Sequence, residues 1–87
     1  MKATGDIGMS DVFHIKTRTP GESARAWCFI CPGGRLNRLR VHASRISSLA
    51  DAREAAKLLS AGCAKAGQAA EFRIVDAAGR TIPLAEG

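Results

Sequence analysis

The sequence predicts an α+β fold: a two-layer domain with an antiparallel sheet of four to five strands and one helix packed on one face, in the order β-β-β-α-β-β. Three observations carry this. Apolar and polar residues alternate with period two on both sides of the chain's midpoint, and Pro-Gly and Gly-containing clusters punctuate those runs. Between them a single Ala- and Leu-rich stretch repeats its apolar residues at three- and four-residue spacing. With 87 residues the chain has room for one such core. A folded chain of this size buries only roughly 60 to 65% of the surface its unfolded form exposes, which excludes a second domain and a large substrate cavity.

Residues 1–10 show no periodicity and read as a flexible lead-in; residues 11–87 form the single domain. The first strand, residues 12–19, sets Phe13 and Ile15 on one side and His14, Lys16 and Arg18 on the other. Pro20-Gly21 turns the chain into a second strand, residues 24–31, apolar from Ala26 and centred on Trp27 and Phe29. Pro32-Gly33-Gly34 stops it and predicts a hairpin to a third strand, residues 35–43, with Leu39 and Val41 inward and Arg38, Arg40 and His42 outward. Ser48 and Asp51 have capping-box spacing, with Asp in place of the usual Glu, so a helix is expected from Leu49 to near Gly67. Its stripe is Ala52, Ala55, Ala56, Leu59, Cys63 and Ala66, and the small residues Ala52, Ala56 and Gly62 let it lie close to a sheet. A fourth strand, residues 70–76, places Phe72 and Ile74 inward and Arg73 outward. Ala77-Ala78-Gly79 connects it to a short edge strand, residues 80–84, broken by Pro83.

The chain carries 13 Lys and Arg against 8 Asp and Glu, a net charge of +5. Most of the basic residues are Arg in an Ala- and Gly-rich chain, a bias that a GC-rich genome produces without selection, so position says more than the total. From residue 35 to residue 45 there are four arginines (Arg35, Arg38, Arg40, Arg45) and His42, with no acidic residue. If the first, third and fourth strands share a sheet backed by the helix, then His14, Lys16, Arg18, Arg38, Arg40, His42 and Arg73 project from the opposite face. That makes a basic plane able to neutralise phosphates, or to hold phosphate or carboxylate through bidentate arginine. Phe13, Phe29 and Phe72 have the inward phase, Trp27 shares it, and Tyr is absent, so base stacking on this plane is not expected.

Cys28 and Cys31 form a C-x-x-C followed by Pro-Gly-Gly rather than by a helix. A zinc site would need two further ligands, and Cys63, His14 and His42 stand at no recognised spacing. The cysteines therefore read as small buried apolar residues, and their odd number fits a reducing compartment. No nucleophile elbow, paired carboxylates, metal-binding helix motif or phosphate loop is present, so no catalytic residue, metal or cofactor is assigned and no enzyme is expected. The longest uncharged run, residues 26–34, is too short for a membrane span, and no secretory signal opens the chain. A cytoplasmic protein that makes no membrane contact is expected. The edge strands allow a monomer or a weak homodimer, since strand addition competes with protection by charge and Pro83.

Three stretches carry a resemblance: Arg38-Leu39-Arg40-Val41-His42-Ala43, the helical Asp51-Ala52-Arg53-Glu54-Ala55-Ala56-Lys57, and the terminal hairpin from Glu71-Phe72-Arg73-Ile74 through Gly79-Arg80-Thr81-Ile82. With them the chain after the lead-in resembles small β-β-β-α-β-β proteins of phages and mobile elements, among them anti-CRISPR inhibitors of type I CRISPR-Cas systems. The resemblance implies a binding protein that docks on subunits of an effector complex in a bacterial host and blocks target DNA binding or nuclease recruitment. Many such inhibitors are acidic DNA mimics; this chain is basic, so a basic face with Lys16, Arg18, Arg38, Arg40, His42 and Arg73 is the expected contact surface. The alternative is a small basic module that binds DNA or RNA directly.

Overall fold

The computed structural model describes residues 12–84 of the chain and has, among them, five strands and one α-helix: β1 (His14–Arg18), β2 (Cys28–Ile30), β3 (Leu36–Asn37), α1 (Leu49–Lys65), β4 (Glu71–Val75) and β5 (Thr81–Ile82). The α+β class and the β-β-β-α-β-β order are as the periodicity predicts. The lead-in assigned to residues 1–10 lies outside the described residues. The sheet order is β3-β2-β1-β4-β5, with every neighbouring pair antiparallel. β1 is therefore the central strand between β2 and β4, and β3 is an edge, paired with β2 as the hairpin expectation has it and in one sheet with β1 and β4.

Directly opposed residues share a face, so the register sorts the side chains. Toward α1 point Ile15, Ile74 and Ile82 in one row, and Cys28, Thr17 and Phe72 in the next. Ile15 and Ile74 meet Ala52 and Ala56 in a buried cluster, with Phe13, Ile30, Ile46, Leu49, Leu59 and Phe72 around it. The helix supplies methyl groups and the strands supply volume, so α1 lies close to the sheet. Ser48 Oγ accepts the Asp51 N–H at 3.0 Å and satisfies one orphan donor of the first turn. At the other end Gly67, with φ of 75°, makes a left-handed stop. There the Gln68 N–H donates to the Cys63 carbonyl (2.8 Å) and the Gly67 N–H to that of Ala64 (3.1 Å), a Schellman arrangement.

Gly62 does not contribute to the close approach expected of it. It is exposed, and a Cβ placed on it meets nothing within 4 Å. In a helix interior it only adds backbone entropy to the unfolded chain. Gly62→Ala is expected to stabilise the protein by about 0.5–1 kcal/mol, read as a higher urea midpoint at unchanged slope. An unchanged or lower midpoint would mean that this helix face is in contact with something.

The turn between β4 and β5 is built on Asp76, whose Oδ1 accepts the N–H groups of Ala78 and Arg80, both at 2.9 Å. Those donors, that of Arg80 foremost, hold the Asp76 carboxyl below its ordinary range.

Two strands are shorter than the alternation suggests. Ala24–Ala26 is a 3-10 turn capped by Ser23, so β2 starts only at Cys28. β3 ends at Asn37, whose side-chain oxygen accepts the Leu39 N–H at 2.8 Å and bends the chain, and Arg40–His42 is a further 3-10 turn. Leu39 and Val41, expected inward, are 59% and 82% exposed. Residues 38–46 instead form a strap over the sheet face opposite α1. Ala43 packs there on Phe29 and Val75, and the Ser44 N–H donates to the Ile30 carbonyl at 3.0 Å. Phe13 and Ile46 then exchange backbone hydrogen bonds of 2.7 and 3.0 Å, which delivers Ile46 to the helix-side core.

Candidate functional site

The sheet face opposite α1 is a grid of three rows. His14 and Val75 are opposed in the first, Phe29, Lys16 and Arg73 in the second, and Arg18 and Glu71 in the third, where Trp27 follows in phase with Phe29. The strap covers the first row. His14 is 5% exposed, with Nδ1 2.9 Å from the Ser44 carbonyl oxygen and its ring edge-on to Phe29 at 5.8 Å. It belongs to the packing beneath the strap and not to a basic plane.

The other two rows are half-buried cations laid on aromatic rings. Lys16 Nζ lies 5.1 Å from the centroid of Phe29. The guanidinium carbons of Arg18 and Arg73 lie 4.8 and 4.2 Å from the centroid of Trp27. Arg18 is held in place: its Nε donates to Glu71 Oε1 at 2.8 Å and its Nη1 to the Glu22 carbonyl at 2.8 Å. Lys16 and Arg73 are different. They are direct cross-strand partners, and among the described residues neither forms an ion pair with a carboxylate. Like charges opposed on one sheet face repel. The negative faces of Phe29 and Trp27 offset part of that repulsion, and an anion placed between the two cations would remove more of it.

The six residues expected to form the contact surface thus divide. Lys16, Arg18 and Arg73 come together on the sheet. Arg38, Arg40 and His42 are not on a third strand; they lie exposed on the strap, where Arg40 Nη1 donates to the Ala77 carbonyl and ties the strap to the end of β4. Between Glu22 and Asp51 the chain has no acidic residue, so the strap adds positive charge beside the grid without compensation.

Trp27 and Phe29 were expected on the helix side and lie on the opposite one. The apolar run of residues 26–31 fits either phase, and the phase with its rings inward has the larger apolar volume. Pairing decides against it: Phe29 is opposed to Lys16, and Thr17 to Cys28, so Cys28 and Ile30 face α1. The available signal was β1 itself, whose cations require neighbours that tolerate charge, as aromatic rings do.

The Sγ atoms of Cys28 and Cys31 lie 3.5 and 3.6 Å from the carbonyls of Ala26 and Phe29, and both thiols are free, as is that of Cys63. Among the described residues no three His, Cys, Asp or Glu side chains converge as a metal site. An open groove of about 1140 Å³ follows β4, with Trp27, Arg73 and Phe72 on the sheet side and Lys57, Ala61 and Ala64 on the helix side. No helix among the described residues is long and apolar enough to cross a membrane. Searches of protein-family models, of curated proteins and of solved structures return no match to the chain.

Proposed function

We propose that the chain is a nucleic-acid-binding module that acts by binding, without chemistry of its own, and that the sheet face opposite α1 is its contact surface. The observation that carries this is the opposed pair Lys16 and Arg73, two cations without a carboxylate partner among the described residues, set beside Phe29 and Trp27. A phosphate bridging them gains both charges and relieves their repulsion, while a neutral or cationic ligand gains nothing. The exposed strap residues Arg38 and Arg40 add positive field beside the pair, which favours a phosphate backbone. The expected result is binding of a fluorescently labelled oligonucleotide at low salt, with log K falling linearly in log salt as counterions are released. No anisotropy change at 20 mM salt, with the protein folded, would remove this reading.

A second reading keeps the surface and changes the partner: inhibition of a type I CRISPR effector complex in a bacterial cytoplasm. What favours it, beside the resemblance of the sequence, is the strap. There Leu39 and Val41, 59% and 82% exposed, stand among Arg38 and Arg40. Phosphates make no use of such side chains; the centre of a protein interface does, with arginine at its rim. Pull-down against a purified type I complex tests it. Failure of that complex to retain the protein, with target-DNA binding unaffected, would sink the inhibitor reading and leave the first one standing.

A further inference from the structure

We infer that Trp27 and Arg73 form a subsite for an unpaired nucleobase, so that the nucleic acid this face takes is single-stranded rather than duplex. The inference rests on the nucleic-acid reading and adds what that reading leaves open, the form of the strand and the group that recognises it. Arg18 and Arg73 have unequal roles at the indole. Arg18 is fixed by Glu71 and the Glu22 carbonyl, so it acts as a support that holds the ring at the end of β2. Arg73 rests on the same ring at 4.2 Å but, among the described residues, is tied to no carboxylate, so its guanidinium can turn toward a ligand without breaking an ion pair.

Trp27 is half-buried, and both it and Arg73 border the open groove along β4. A planar base entering there stacks on the indole as the Arg73 guanidinium turns aside to lie against it, the two kinds of surface on which splayed bases stack, while Lys16, the cross-strand partner of Arg73, faces the phosphate that follows. A duplex keeps its bases stacked on one another and can offer this face only its phosphates. Stacking on the indole thus separates the two forms, and charge does not. The other cation-bearing ring, Phe29, is buried and edge-on to His14, so it supports Lys16 and offers no stacking surface.

The chain contains one Trp and no Tyr, so its ultraviolet emission reports this subsite alone. The test uses the full chain with three probes: a labelled twelve-nucleotide oligothymidylate, a DNA hairpin duplex with the same number of phosphates, and inorganic polyphosphate. Label anisotropy follows oligonucleotide binding, polyphosphate is scored as a competitor, and Trp27 emission is recorded in the same titrations. The single strand is expected to quench Trp27 emission by about half or more, and the duplex and polyphosphate to leave it nearly unchanged. Trp27→Leu is expected to weaken the single strand about fivefold to a hundredfold, the range for losing one base–aromatic stack, and the other two probes by less than about twofold. Should the single strand bind with Trp27 emission unaltered, the subsite is overturned while the nucleic-acid reading survives. Should none of the three bind the folded protein, both are overturned. The emission readout needs no variant, so it decides the matter even if Trp27→Leu does not fold.

Discussion

Ile74→Ala is expected to remove about 3–4 kcal/mol of stability, the largest loss of any single truncation in this protein. Ile74 is fully buried in the central pair of strands, opposite Ile15 on one side and Ile82 on the other, and beneath Ala52 and Ala56 of α1. Truncation loses the transfer free energy of three carbons and leaves a cavity between Ile15 and Ile82 on the sheet and the methyl groups of Ala52 and Ala56 on the helix. Ala52 and Ala56 are too short to fill it from the helix side, and Ile15 and Ile82 are held in register by the strand ladder, which places the cost in the middle of the range for Ile→Ala. A chain of this length has about 4–13 kcal/mol in total. The midpoint of thermal unfolding should therefore fall by about 12–25 °C. Val41→Ala is the matched control: at 82% exposed it should stay within about 0.5 kcal/mol of the parent. A loss below about 1 kcal/mol for Ile74→Ala would mean that α1 does not seal that face of the sheet.

The parts of this fold that the sequence made legible are those where one periodicity has one interpretation. In β1, and in β4 as far as Ile74, the charged residues fall at every second position, so Ile15 and Ile74 face the helix and Lys16, Arg18 and Arg73 face away. In α1 the alanine stripe, the Ser48 cap and Gly67 all agree. The middle of the chain was harder for identifiable reasons. Residues 26–31 are apolar at every position, so alternation carries no phase, and the side taken by Trp27 and Phe29 is set by pairing with β1 across a loop whose geometry is not written in local pattern. In residues 35–43 alternation is present and misleading. Asn37 bends the chain after two residues of β3, and the remaining Leu-Arg-Val-His stretch becomes a strap with its apolar residues in the open. The candidate site was thus half visible: its cations could be found on the sheet strands, but the rings beneath them, and the covered position of His14, required the register.

Removing charge at the opposed pair should separate binding from stability. In the double variant Lys16→Gln, Arg73→Gln the long side-chain stems remain over Phe29 and Trp27, while two like charges that face each other across β1 and β4 are gone. Relief of that repulsion and loss of two cation–π contacts have opposite signs, each of order 0.5–1 kcal/mol, so the urea midpoint should move little. Binding should behave otherwise. For a single strand, each phosphate neutralised contributes about 0.7 to the slope of log K against log salt, so losing the one phosphate that bridges the pair should lower the slope by about 0.7, a loss of roughly fivefold in affinity at 0.1 M salt. The two measurements together discriminate. Were the cations present only to keep the face solvated, the slope and the affinity would not change, and were they structural, the midpoint would fall with them. A variant that folds like the parent and binds with a shallower salt dependence is the outcome that a phosphate-binding pair produces.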